Sequence, residues 1–184
     1  MKRFFCCCGC VVVLVFVFWF MFPVHEESNT VSSEKNDVNV ATPVLHGLYD
    51  VVRVVDGDTI VVLIDKQETT IRLIGVDTPE SVASEDYFKE NSEEGKTASL
   101  WLKDLLKNKS VFLEYDVGKT DNYGRVLAYV YLEDGVSMIN RILLQNGLAK
   151  LMTIQPNIKY ESLFIQDQTR AKEEKKGFWA DYFN

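Results

Sequence analysis

Two short apolar runs with a polar break between them dominate the middle of the chain. Thr59 to Ile64 (TIVVLI) and Thr70 to Val76 (TIRLIGV) are rich in β-branched residues, the pattern of buried strands. The intervening DKQE predicts a turn, so the pair reads as a hairpin. A hairpin brings its outer ends together. Asp56 and Asp58 at the start of one strand are therefore expected beside Asp77 and Glu80 at the end of the next. Arg72 interrupts the second run with apolar neighbours on both sides. A buried guanidinium without an anion is strongly unfavourable, so Arg72 needs that carboxylate cluster or a bound phosphate.

Leu48 to Val55 (LYDVVRVV) predicts a strand ahead of the hairpin, and three strands in series suggest a meander able to curl into a barrel. Ser81 to Gly95 is acidic, with Tyr87 and Phe88 its only large apolar side chains, and reads as a mobile loop. Ala98, Leu102, Leu105 and Leu106 recur at helical spacing and predict an amphipathic helix over Lys96 to Lys107. Ser110 to Tyr115 and Arg125 to Leu132 predict two more strands, joined by DVGKTDNYG. Ser137 is an expected N-cap for a helix running through Gln145 that Gly147 ends. A last helix, about Tyr160 to Lys175, places Tyr160, Leu163, Phe164 and Ala171 on one face. The sum is an α+β domain: a five-stranded barrel with about three helices.

The amino end carries different chemistry. Phe4 to Phe22 is uncharged, follows Lys2 and Arg3 and precedes Pro23 and an acidic stretch. As a helix it would be about 28 Å long, close to a bilayer's hydrocarbon core. Residues 1–22 are accordingly expected to be a signal anchor that keeps its basic end in the cytoplasm and places the domain outside. The alternative is a cleaved signal peptide and secretion. Cys6, Cys7, Cys8 and Cys10 all fall in this run, leaving the domain free of cysteine and able to fold in an oxidising compartment. Residues 23–47 are polar and Ser- and Asn-rich, a linker. Both histidines, His25 and His46, belong to that linker, so residues 48–184 have none. That excludes a Ser-His-Asp hydrolase and a zinc site built on histidine. The same segment carries 17 basic and 23 acidic side chains.

Singly, Asp56-Gly57-Asp58-Thr59 is a turn signal, Asp77-Thr78-Pro79-Glu80 a common helix start, and Asp121-Asn122-Tyr123-Gly124-Arg125 a loop that ends in a strand arginine. Together, with Asn146 to Lys150 (NGLAK) and Lys175 to Trp179 (KKGFW), they resemble the thermonuclease family, of which staphylococcal nuclease is the best known member. The motifs follow the family's order over about Leu48 to Trp179. The resemblance implies an OB-fold barrel of five strands with three helices. It further implies Asp58 and Asp77 as carboxylate ligands of Ca2+, with the backbone carbonyl of Thr78 beside them, and Glu80 orienting and activating the attacking water. Arg72 and Arg125 would bind the phosphate that is cleaved. Tyr123 would pack beside the site or contact phosphate; a half-exposed turn tyrosine is the other reading. Asp56 either shapes its loop or supports the metal from behind.

That chemistry is coherent in itself. Calcium prefers oxygen donors, and charge that grows on a phosphodiester under attack is stabilised by a metal and two guanidiniums around it. The expected activity is a calcium-dependent nuclease acting on DNA and RNA with low sequence specificity; the resemblance implies 3′-phosphate ends, and an OB barrel favours single-stranded regions. The alternative is an OB-fold nucleic-acid-binding module, tethered to a membrane, that has lost catalysis. No protein partner is evident, and the domain is expected to be monomeric. Two features depart from the family pattern. Thr153 and Gln155 stand where it places nucleotide-contacting aromatic residues, and the domain is net acidic, so substrate binding should be weak and salt-dependent. Lys103, Lys107, Lys109, Lys119, Lys150 and Lys159 are candidates for a basic rim.

Overall fold

A computed structural model of the chain describes residues 42–79 and 93–180. The expected amino-terminal helix, most of the linker, Glu80 and most of the acidic loop after it lie outside the described residues. Among the described residues the strands are β1 (His46–Asp56), β2 (Thr59–Ile64), β3 (Gln67–Leu73), β4 (Gly75–Asp77), β5 (Ser110–Glu114), β6 (Val126–Tyr131) and β7 (Lys150–Met152). The helices are α1 (Glu93–Leu105), α2 (Ile139–Gln145) and α3 (Glu161–Glu173), followed by a 3-10 turn at Gly177–Trp179.

Five strands close a barrel in the order β1-β2-β3-β6-β5, with β5 returning to β1. All neighbours are antiparallel except β3 and β6, which run parallel with Arg72 opposite Leu127. The hairpin forms as expected, but its turn is shorter than DKQE. Ile64 pairs with Gln67, and only Asp65 and Lys66 are left to turn, both at positive φ. Two such residues give the turn whose twist matches the twist of the flanking strands, so β3 starts at Gln67 rather than Thr70. The other end of the second apolar run also differs. It breaks at Ile74, and β4 leaves the barrel to pair antiparallel with β7.

Buried Ile60, Val62, Ile71, Leu73, Val111, Leu113, Ala128 and Val130 fill the interior. Ala98, Leu102 and Leu106 of the first helix region are buried in the same core, as their spacing predicts. Tyr129, Tyr160 and Phe164 pack their rings together where α3 joins that core. Trp179 is buried in a packing position of its own, against Phe178 and under Lys172. The helix α2 starts one residue later than expected, with Met138 as N-cap. The Ser137 hydroxyl and backbone N–H are instead held by Asp134, which organises the preceding turn. Its end matches the sequence reading: Gly147 has φ +64, its N–H donates to Leu144 O, and Leu148 N–H donates to Leu143 O. That pair of bonds is a Schellman cap, and glycine supplies the left-handed residue it requires.

Two buried polar groups tie the layers together. Asn140, fully buried, accepts from Val130 N–H (2.9 Å) and donates to Ile74 O (2.8 Å), linking α2 to β6 and to the point where β4 departs. Asp167 on the inner face of α3 takes two hydrogen bonds from Arg141 (2.7 and 3.0 Å) and one from Gln145 (2.9 Å).

Candidate active site

The Asp56-Gly57-Asp58 turn joins β1 to β2 at the barrel's rim. Asp56 Oδ1 accepts the Asp58 N–H (3.1 Å), and the Leu73 N–H donates to Asp58 O (2.9 Å), which stitches the turn to the end of β3. The turn then passes directly over Thr78. A Cβ on Gly57 would meet the Thr78 side chain at 2.8 Å, so a residue without one allows this approach.

Asp58 is only 5% exposed. Its Oδ2 accepts the Thr78 N–H (2.8 Å) and hydroxyl (3.1 Å), and its Oδ1 accepts the Thr59 hydroxyl (3.0 Å). Burial pushes its carboxyl up to about 7, the neighbouring Asp56 adds to the rise, and Arg72 and the Thr78 N–H oppose it. Arg72, opposite Thr59 in the hairpin register, finds the anion that its burial demands. Its Nη2 lies 3.1 Å from both Asp58 Oδ2 and Asp77 Oδ1, while Nη1 donates to Leu73 O (3.1 Å) and Val76 O (2.7 Å). These contacts engage both terminal nitrogens and hold the guanidinium plane rigidly.

A cleft of about 400 Å³ opens above this group. Asp56, Asp58 and Asp77 line it with Arg72, Thr78, Pro79, Tyr123 and Arg125. Every described residue expected in the site therefore reaches one cavity, from the β1–β2 turn, β3, β4 and the loop before β6. Glu80, next after Pro79, lies outside the described residues. Tyr123 is 85% exposed, and its ring lies 5.4 Å from the Arg125 guanidinium carbon. Arg125 donates from Nε to Asp121 Oδ2 (2.7 Å). Asp121 belongs to the loop motif, and its place four residues before an arginine is the sequence signal for this pairing.

The donor set fits a hard cation. Among the described residues no three His, Cys, Asp or Glu side chains gather closely enough to hold a metal. Asp58 and Asp77, however, already converge on a single cationic nitrogen at equal distance. Two carboxylates completed by backbone and solvent oxygens suit calcium or magnesium and not a soft metal.

A second groove of about 440 Å³ shares Arg72, Tyr123 and Arg125 with the cleft and continues past Met152, Ile154, Gln155 and Pro156. Of the two positions that depart from the family pattern, Gln155 lines this groove, with Met152 and Ile154, and Thr153 does not. Extended backbone alternates its side chains, so residues 152 and 154 share the face, and the Thr153 hydroxyl is buried without a hydrogen-bond partner. None of the six lysines considered for a basic rim lines the cleft, and Lys119 lies between Gly118 and Thr120 of the second groove. Lys159 is paired with buried Glu114, Lys109 with Glu133, and Lys150 lies over Phe178. Lys103 and Lys107 line a separate depression against β1.

Residues 70–181 match the sequence profile of the family described as Staphylococcal nuclease homologue. The chain belongs to this family. The chain is 44% identical over 133 residues to the thermonuclease of Staphylococcus hyicus, covering 72% of this chain and 76% of that protein. It is likewise 44% identical over 131 residues to the thermonuclease of Staphylococcus intermedius, covering 71% and 75% of the two chains. Endonuclease YncB of Bacillus subtilis is 38% identical over 130 residues, 70% of this chain and 59% of that protein. The five-stranded barrel and three helices are the architecture expected of a staphylococcal nuclease homologue with an OB fold.

Proposed function

We propose that this chain is a calcium-dependent nuclease that hydrolyses DNA and RNA with little sequence preference in the cleft described above. Membership of the staphylococcal nuclease family makes it a phosphodiester hydrolase. The observation that carries the finer reading is the convergence of Asp58, Asp77, Arg72 and Arg125 on one open cavity. Asp58 and Asp77, with the Thr78 carbonyl, would hold the cation. Bound there, it supplies a Lewis acid for a phosphate oxygen. Arg72 and Arg125 bind the scissile phosphate from its other sides and neutralise the charge that grows as water attacks. Arg72 would do so through Nη2 once a cation takes over Asp58 and Asp77, while the Leu73 and Val76 carbonyls keep its plane fixed through Nη1. Glu80 orients and activates the water. Attack opposite the 5′ oxygen expels a 5′-hydroxyl and leaves a 3′-phosphate.

The groove beyond Tyr123 gives a strand somewhere to lie. Its floor is aliphatic, with Met152 and Ile154, which supports binding of unpaired bases with less stacking energy than an aromatic floor would give. We assign the enzyme to the extracytoplasmic face as a monomer. It is anchored through residues 4–22, or secreted after their removal.

The test incubates the purified full chain with denatured DNA and with RNA, in calcium, in magnesium and in chelator, beside Arg125→Ala. Calcium-dependent cleavage to 3′-phosphate ends that falls at least about 100-fold in the variant is the expected result. A folded protein that binds both substrates and leaves them intact under all conditions would instead establish a binding barrel. Membrane fractionation and amino-terminal sequencing of the mature protein separate anchor from secretion.

A further inference from the structure

The loop that delivers Arg125 is built around one carboxylate. Asp121 Oδ1 accepts two backbone N–H groups, those of Tyr123 and Arg125, each at 2.9 Å. Its backbone N–H donates to Arg125 O (3.0 Å), and its carbonyl accepts the Gly124 N–H (3.1 Å). The other carboxylate oxygen, Oδ2, takes the Arg125 Nε–H at 2.7 Å. Its side chain is only 17% exposed. Burial acts to raise the Asp121 carboxyl, and the hydrogen bonds from the Arg125 side chain and backbone outweigh it, so the group stays ionised.

The choice of nitrogen matters. A carboxylate that paired with the two Nη groups would consume the fork that grips a phosphate. Contact at Nε alone fixes the guanidinium plane and leaves the Nη edge for a ligand. The Tyr123 ring lies over the guanidinium at 5.4 Å and further restricts that plane. Arg125 lines the same cleft as Asp58 and Asp77, and among the described residues no backbone carbonyl holds its guanidinium as Leu73 O and Val76 O hold that of Arg72. Its aim therefore depends on Asp121.

We propose that Asp121 is a positioning residue for the reaction, holding Arg125 by Nε so that its Nη edge faces the phosphate in the cleft. This rests on the reading of Arg125 as a phosphate ligand. Two roles of Asp121 are separable by substitution. Asp121→Asn keeps an oxygen for the two backbone N–H groups and replaces the acceptor of Nε with an amide that repels it. The loop survives and the arginine is released.

The experiment is a double-mutant cycle on the full chain in calcium, with Asp121→Asn, Arg125→Ala and their combination. Each protein is measured for kcat and KM on denatured DNA and for thermal melting. The expected result is a loss of about 10-fold or more in kcat/KM for Asp121→Asn with melting close to that of the parent. In the Arg125→Ala background the same change should have no further effect, because the group it positions is absent. Wild-type activity in Asp121→Asn overturns the proposal. So does an equal loss with and without Arg125, which would make Asp121 a loop-folding residue only. If Arg125→Ala itself retains full activity, the phosphate-binding reading of Arg125 fails first, and the two failures are thereby distinguished.

Discussion

Replacing Asp58 with asparagine should stabilise the metal-free protein at neutral pH while abolishing its activity. Asp58 is buried beside Asp56, with Arg72 and Asp77 as the other charged groups at the cleft floor. Its carboxyl is raised from 3.8 to about 7, chiefly by burial. The folded state thus holds this proton more tightly than the unfolded chain does. The associated stability is fully present below pH 3.8 and is lost as pH rises through about 7. At ~1.4 kcal/mol per pKa unit the ionised form costs about 4 kcal/mol above that range. Asparagine has the same shape and no charge. Its carbonyl can accept from Thr78, its amide can donate to the Thr59 hydroxyl, and Arg72 retains Asp77 and two backbone carbonyls. Losing one anionic partner of Arg72 subtracts from the gain, so about 2–4 kcal/mol is expected at about pH 7.5 and about 1 kcal/mol or less at about pH 4.5. Urea unfolding in chelator, followed by tryptophan fluorescence at the two pH values, measures both. A variant less stable than the parent at about pH 7.5, or one with the same offset at both pH values, would refute the reasoning. Activity with calcium should be lost in either case, since the ligand is gone.

Arg125→Lys keeps the charge but not the planar fork or the Nε contact with Asp121, and should lower kcat/KM about 100-fold in a denatured-DNA assay; retention within about 3-fold would show that charge alone suffices. Asn140→Ala leaves the Val130 N–H and the Ile74 carbonyl buried without partners. At about 1–3 kcal/mol for each orphaned group, urea unfolding should show a loss of about 2–5 kcal/mol, and a loss under about 1 kcal/mol would mean that water replaces the amide. Ile154→Tyr adds an aromatic face to the groove that Ile154 lines at 62% exposure. It should lower KM for single-stranded DNA about 5-fold or more, and an unchanged KM would show that substrate bypasses this groove.

What local pattern determined was the five barrel strands, the three helices and the chemistry at their ends. TIVVLI and the run with Arg72 had to be strands because little else buries two β-branched runs so close together. The hairpin register set Thr59, and with it Asp58, beside Arg72; Asp77 joins them from β4, after the run breaks at Ile74. The spacing of Ala98, Leu102 and Leu106, and the glycine after Asn146, were equally local signals and were legible for that reason. Tertiary structure decided everything that depends on a distant partner. β7 is three residues long, too short to show a period, and it exists because β4 leaves the barrel to meet it. That pairing turns Met152 and Ile154 toward the groove and Thr153 away. Two of the lysines are held by acids far away in sequence, Lys109 by Glu133 and Lys159 by Glu114 across 45 positions. Asp121 and Arg125 are near neighbours in the chain, yet the role we propose for Asp121 appears only when barrel closure brings their loop to the cleft. Side-chain periodicity encodes which face of a segment is buried; it does not encode which other segment covers it, because that is set by the closure of the whole barrel.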